Sequence, residues 1–210
     1  MSTWLVVPVR SLRDGKSRLA TVLDPAQRFA FVERLLVRTL EQAAQFPGLD
    51  RTLVVSACDE ARARAVACGA QALLEQPPGG LNGALRQARL AVHHRGAAQM
   101  LMVSCDLPLL QADDLRELAA AAVPGTIALA PDRARQGTNG LCMAADTDLD
   151  FAFGPNSFAL HLACTRRVWM NSAVVERTGL SCDVDVPADY AELCAPERRP
   201  ERCWTPLGTA

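Results

Sequence analysis

The sequence predicts an α/β fold: a single domain built on a mostly parallel central sheet with helices on both faces. Three observations carry that expectation. Short β-branched apolar runs alternate along the chain with amphipathic helical patterns, the signature of βαβ units. The first run, Trp4 to Val9, ends abruptly in polar residues, as suits a buried central strand. The chain has 210 residues, half of them hydrophobic, with a formal net charge of −1, so it can bury a substantial core.

The elements follow in order. After the first strand comes a loop from Arg10 to Arg18 that carries Arg10, Arg13, Lys16 and Arg18 against a lone Asp14. Asp24 and Pro25 open a helix in which Phe29, Val32, Leu36, Leu40 and Ala43 recur at helical spacing. Thr52 to Ser56 reads as the second strand, Asp59 to Ala67 as a helix, and Gln71 to Leu74 as a short third strand. The turn Pro77, Pro78, Gly79, Gly80 precedes a helix with Leu85, Ala88 and Val92 on one side. Gln99 to Ser104 is the clearest later strand, followed by a helix over Ala112 to Ala122 and a strand over Gly125 to Ala130. Beyond Pro131 the rhythm becomes irregular, as expected where a sheet adds loops for a second ligand. The domain is expected to span 1–194, with a polar, proline-interrupted surface tail over 195–210.

Composition narrows the function classes. The balanced charge and the lack of a basic stripe interleaved with aromatics argue against nucleic acid. The first apolar run is too short for a membrane span and is followed, not preceded, by charge, so no membrane partner is expected and a cytoplasmic location is. Eight cysteines contain no C-x-x-C pair and no close His partner, so they read as mostly buried free thiols.

Several segments carry chemistry. Ligands of open α/β sheets gather beyond the carboxyl ends of the strands, where the loop from Arg10 to Arg18 lies. Its charge and glycine suit a phosphate chain, and a solvated charge run is the alternative. Asp106, at the end of the fourth strand and before Pro108, suits either a turn cap or a hard-cation ligand. In the extended stretch Cys182 to Val186, Asp183 and Asp185 project to the same face, where like charges repel unless something positive sits between them. Magnesium is the economical answer, and Asp189 fits the opening turn of a short helix through Leu193. Gly154, Pro155 and Ser157 look like a helix start able to attract an anion, with a plain Ser157 cap as the alternative. Gly137, Thr138 and Asn139 offer close backbone approach, a hydroxyl and an amide, or form a simple polar turn. Gly80 and Asn82 border either a nucleotide or a helix start. His161 lies one turn beyond Ser157 on the same helix face, within reach of a ligand bound there, but is read as packed or solvated and is given no catalytic role.

Taken together, Pro8 with Lys16, Ser17, Arg18 and Leu19; Gly80, Leu81 and Asn82; Asp106, Leu107 and Pro108; Pro131 and Asp132; Gly137, Thr138 and Asn139; Phe153, Gly154, Pro155, Ser157, Phe158 and His161; and Asp183, Asp185, Pro187 and Asp189 form a set. The chain resembles the guanylyltransferases of coenzyme F420 biosynthesis, a branch of the MobA-like nucleotidyltransferases on a Rossmann-like, GT-A-like sheet. Arg10 departs from the lysine of many relatives, and the tail has no counterpart. The resemblance implies a cofactor, Mg2+, bound by Asp106, Asp183 and Asp185. It implies GTP near Pro8, Lys16, Arg18, Gly80 and Asn82, with Asp106, Lys16 and Arg18 the catalytic set. It further implies a small phosphorylated carboxylic acid at Thr138, Gly154 and Ser157: 2-phospho-L-lactate, phosphoenolpyruvate or 3-phospho-D-glycerate. A homodimer is compatible with so compact an enzyme. The competing readings are a nucleotidyltransferase for a sugar phosphate or molybdopterin, and a non-catalytic nucleotide sensor, which has less need of three carboxylates.

Overall fold

A computed structural model describes residues 2–195. Apart from Ala195, the expected tail lies outside them, and so does Cys203. In chain order the regular elements are β1 (Thr3–Pro8), α1 (Pro25–Gln45), β2 (Thr52–Ser56), α2 (Asp59–Ala67), β3 (Gln71–Leu74), α3 (Leu81–His94), β4 (Gln99–Val103) and α4 (Ala112–Ala121). They continue with β5 (Thr126–Pro131), β6 (Thr138–Ala144), α5 (Ser157–Arg167), β7 (Asn171–Val174), α6 (Thr178–Ser181) and α7 (Pro187–Cys194).

The seven strands form one sheet in the order β3-β2-β1-β4-β6-β5-β7. The β1–β2, β1–β4, β2–β3 and β5–β7 pairs are parallel, while β6 runs antiparallel to both of its neighbours. The sheet is therefore mostly parallel, as expected. Strand alternation divides its residues between two cores. Leu5, Val7, Val54, Leu101 and Val103 face α1, α2 and α4, where they meet Leu36, Ala61 and Leu115. Trp4, Val6, Leu53, Val55, Met100 and Met102 face α3 and α5, where they meet Leu85, Val92 and Phe158. Each fully buried aliphatic side chain stabilises the fold by about 1.5–3 kcal/mol.

The start of α1 shows how local chemistry sets a boundary. Asp24 Oδ1 accepts from the Gln27 amide at 2.8 Å, Gln27 Oε1 accepts from the Asp24 amide at 2.9 Å, and Pro25 occupies the first turn. This reciprocal cap satisfies two groups that a helix end otherwise leaves unpaired.

The stretch after Pro131 departs from expectation, because it holds two strands where none was foreseen. The polar start of β6 and its Gly140 disguise it as a loop. Gly140 is required by packing: a Cβ there would lie 2.6 Å from Leu118 Cδ2 and 3.2 Å from the Ala130 Cβ. β7 is a short, largely exposed edge strand of sequence NSAV, too polar to read as one. The cysteines also differ from expectation: of the seven described, all free, only Cys142 and Cys164 are buried and the others are half-buried.

A third hydrophobic cluster ties distant segments together. Leu19 from the loop after β1, Phe31 and Leu35 from α1, and Val184 and Leu193 from the last part of the chain pack around Leu23. Tyr190 meets Phe31 edge-on with ring centroids 5.3 Å apart. Leu19→Ala is expected to cost about 2–5 kcal/mol, since it opens a cavity in this cluster. Urea denaturation monitored by circular dichroism measures that loss.

Candidate functional site

The register gathers the candidate residues at one edge of the sheet. Because β1, β4 and β5 run the same way and β6 runs against them, the carboxyl ends of the first three share an edge with the amino end of β6. Val103 pairs with Gly140 and Pro131 with Thr138. The Ser104 amide donates to the Asn139 carbonyl at 2.8 Å, and the Val184 amide donates to the Asp106 carbonyl at 3.3 Å. Asp106, Asn139 and the segment holding Asp183 and Asp185 are thus bound by backbone contacts.

The basic loop reaches this edge through a tight path. A Cβ on Gly15 would lie 2.8 Å from the Ser11 carbonyl oxygen and 3.1 Å from Val32 Cγ2, so the loop presses on α1 only because that residue has no side chain. Lys16 follows in the left-handed region, with φ 53°, a conformation that costs a non-glycine residue about 1 kcal/mol or more. Its carbonyl accepts from the Leu19 amide at 2.9 Å, which turns Leu19 into the third cluster.

Lys16 Nζ lies 2.6 Å from Asp106 Oδ2 and 2.5 Å from Asp185 Oδ1. Burial alone lowers the pKa of this ammonium, but the two carboxylates outweigh it and hold the group above its ordinary value. Asp183 is served differently. Asn139 Nδ2 donates to its Oδ1 at 3.1 Å, and burial, with Asp106 and Asp185 as nearby like charges, leaves its carboxyl pKa raised despite that bond. Asp189 Oδ2 accepts from the Asp185 and Val186 amides, both at 2.9 Å, and so caps α7 as expected.

The other cations of the loop separate by role. Arg13 pairs with Glu60 at 2.8 Å and sits over the Phe29 ring. Arg10 and Arg18 are exposed and, among the described residues, neither is held in an ion pair.

The donor set at this edge fits a hard cation. Asp106 Oδ1 is buried and has no hydrogen-bond partner among the described residues, a costly arrangement for a carboxylate oxygen. The Lys16 ammonium already lies between Asp106 and Asp185, where positive charge is needed. Among the described residues no three His, Cys, Asp or Glu side chains are gathered as a ready-made cage. A hard cation held here would complete its shell with water and phosphate oxygens beside the carboxylates.

Beside it lies a group of buried hydroxyls. The Thr138 amide donates to Ser157 Oγ at 2.9 Å, and Thr138 Oγ1 is 2.9 Å from His161 Nδ1. Ser157 is not the helix cap. Asn156 precedes α5 in the left-handed region, and the Ser157 and Phe158 amides donate to the Gly154 and Gln136 carbonyls. Gly154 is exposed, and its φ of 137° favours glycine. His161 is packed, with its ring 4.5 Å from that of Phe153. Burial lowers its pKa to about 4, against a smaller opposing effect of a Ser157 hydrogen bond.

Gly80 precedes α3 with φ 99°. Asn82 is neither a cap nor free: its Nδ2 donates to the Phe153 carbonyl at 3.1 Å, and its Oδ1 accepts from the Phe153 amide at 2.8 Å. The Asn139–Asp183 and His161–Thr138 contacts were not foreseen, and the only sequence signal for the second is the four-residue spacing of His161 from Ser157.

The sequence profile of the family described as "Guanylyl transferase CofC like" matches residues 3–196. The chain belongs to this family. This CofC-like chain is 40% identical over 194 residues to the phosphoenolpyruvate guanylyltransferase of Rubrobacter xylanophilus, covering 92% of the chain and 94% of that relative. Its fold is similar to that of a Desulfovibrio desulfuricans G20 protein described as a nucleotide-diphospho-sugar transferase, with TM-score 0.81, 14% identity, and 97% and 92% of the two chains covered. It is also similar to glucosyl-3-phosphoglycerate synthase from Mycobacterium tuberculosis, solved with Mg2+ and uridine diphosphate, with TM-score 0.62, 16% identity, and 90% and 74% covered. Among the described residues no helix is long and apolar enough to cross a membrane.

The buried, neutral His161 makes stability depend on pH. Its folded pKa of about 4 lies below the ordinary value of 6.5, so the unfolded chain binds the extra proton first as pH falls. Its contribution is complete above about pH 6.5 and is lost toward pH 4, with a slope of up to about 1.4 kcal/mol per pH unit. Urea titrations across that range should show a shallower slope for His161→Asn than for the wild type.

Proposed function

We propose that this protein transfers GMP from GTP to a small phosphorylated three-carbon acid, releasing pyrophosphate, as a step in coenzyme F420 biosynthesis. The observation that carries the proposal is the Lys16 ammonium set between Asp106 and Asp185 beside the unpartnered Asp106 oxygen. It is an arrangement for a cation and a polyphosphate together. Phosphoenolpyruvate is the first acceptor to test, because it is the one named for the relative at 40% identity.

The reaction needs no protein base. A phosphate monoester has its second pKa near about 6 and is largely ionised at neutral pH. One of its oxygens attacks the α-phosphorus of GTP, and the bond from that phosphorus to the bridging oxygen breaks. Pyrophosphate leaves with the electron pair. Asp106, Asp183 and Asp185 would hold magnesium, which would supply polarisation of the α-phosphate and offset its charge. Lys16 and Arg18 hold the departing pyrophosphate. Pro8, Gly80 and Asn82 border the nucleotide, with Asn82 acting through the Phe153 backbone that it grips. Thr138, Gly154 and Ser157 receive the acceptor.

Two expectations test the roles. Asp183→Asn should lower turnover by about 10²–10³-fold or more while leaving the circular dichroism spectrum and melting transition in place. Unchanged turnover at saturating magnesium would remove Asp183 from the site. Lys16→Ala should lose far more activity than Arg10→Ala or Arg13→Ala, compared as kcat/KM for GTP.

The acceptor is settled by pyrophosphate release from GTP and magnesium with phosphoenolpyruvate, 2-phospho-L-lactate and 3-phospho-D-glycerate separately, and with ATP, CTP and UTP in place of GTP. Release with a three-carbon acid and GTP is the expected result. Release only with a sugar phosphate or molybdopterin moves the enzyme to another acceptor. GTP binding without turnover makes it a sensor.

A further inference from the structure

His161 is the one fully buried histidine among the described residues, and the reaction above gives it no task. Its surroundings fix its hydrogen. The Ala152 amide lies 3.0 Å from Nε2. A backbone amide only donates, so Nε2 is the acceptor nitrogen and the hydrogen of the neutral ring sits on Nδ1. Nδ1 is 2.9 Å from Thr138 Oγ1. A protonated Nδ1 cannot accept, so the Thr138 oxygen is the acceptor of that contact and its own hydrogen points elsewhere.

Ser157 repeats the pattern. Its oxygen accepts from the Thr138 amide, which leaves its hydrogen uncommitted as well. Among the described residues no second partner takes either hydrogen. Two hydroxyls, 4% and 2% exposed by residue, thus keep a donor each beside the exposed Gly154. Buried donors are rarely left without an acceptor.

We propose that His161 is a positioning residue: as the Nδ1–H tautomer it forces the Thr138 hydroxyl to act as a donor, so that Thr138 and Ser157 present paired O–H groups to an anionic oxygen of the acceptor. This rests on the acceptor placement proposed above. The ring does not touch the reacting atoms and acts only through Thr138. The direction of the hydroxyl matters because a rotor free to donate to the ring nitrogen offers an incoming anion only lone pairs.

The test combines a spectrum with kinetics. Long-range 1H–15N correlation spectra of the wild type at pH 7 should show His161 as the Nδ1–H tautomer, and an Nε2–H tautomer overturns the proposal. His161→Leu removes the donor, and His161→Asn places an amide N–H near the former Nδ1. In the leucine variant the KM for the phospho-acid should rise about 10- to 100-fold, the range for losing a hydrogen bond to a charged group, with the KM for GTP within about twofold. The asparagine variant should recover most of that loss. Thr138→Val should match His161→Leu, and the double variant should be no worse than either. A folded leucine variant with an unchanged acceptor KM, or equal damage to both KM values, overturns the role while the wild type still turns over. A wild type that uses none of the three acids overturns the acceptor placement and this role with it. Should the leucine variant not fold, His161→Asn and Thr138→Val carry the comparison, and an asparagine variant as impaired as Thr138→Val counts against the proposal.

Discussion

Two carboxylates from segments far apart in the chain share one ammonium, and the rest of the site is arranged around that contact. Lys16 reaches Asp106, 90 residues on, and Asp185, 169 residues on. Partly buried charges of this kind are costly unless they are paired. The pairing here is supported from beneath by apolar packing: Leu19, three residues after Lys16, and Val184, between Asp183 and Asp185, belong to the same hydrophobic cluster. The charged groups meet because the residues beside them in sequence are buried together. Hydrophobic burial supplies the directionless attraction, and the short polar contacts fix the geometry.

The second constraint is the reversal of one strand. Were β6 parallel to β4, its amino end would lie at the far edge of the sheet, and Thr138 and Asn139 with it. Running antiparallel, it delivers both to the edge where β1 and β4 end. Gly140 allows this placement by admitting Leu118 of α4 against the strand. From that position the Asn139 amide engages Asp183, and Thr138 engages Ser157 and His161. One strand direction thus joins the carboxylate group to the hydroxyl group.

How much of this was legible in the sequence follows from how each segment is buried. The strands β2 and β3 and the helix α2 fall where the sequence placed them: β2 is buried along its whole length and reads as a short apolar run, β3 is a short half-buried edge strand, and the intervening helix has polar limits. Asp24 and Pro25 announced α1 for a local reason, a cap formed within four residues that the structure completes with Gln27. β6 was not legible, because its first residues are polar and its glycine serves the packing of α4. The pair Asp183 and Asp185 was readable as a repulsion needing relief by a cation, but the two neighbours that the structure supplies were not. The structure divides it, with a neutral amide for Asp183 and the Lys16 ammonium for Asp185. Asn82 was misleading for a similar reason, since a side chain at a helix start looks like a cap until its partner 71 residues away is known.

The clamp between Asn82 and Phe153 bears on motion. Residues 151–153 have no regular secondary structure, yet the Phe153 amide and carbonyl are both held by Asn82 and the Ala152 amide is held by His161. Such a stretch would ordinarily open readily and exchange its amide hydrogens fast. Here those groups are anchored on two helices, so opening of this stretch requires its contacts to both α3 and α5 to break. On the proposed placement of the two substrates, the segment leading to Gly154 is tied to the helix that follows Gly80, so scaffold rather than loop fluctuation sets the spacing between the two sides.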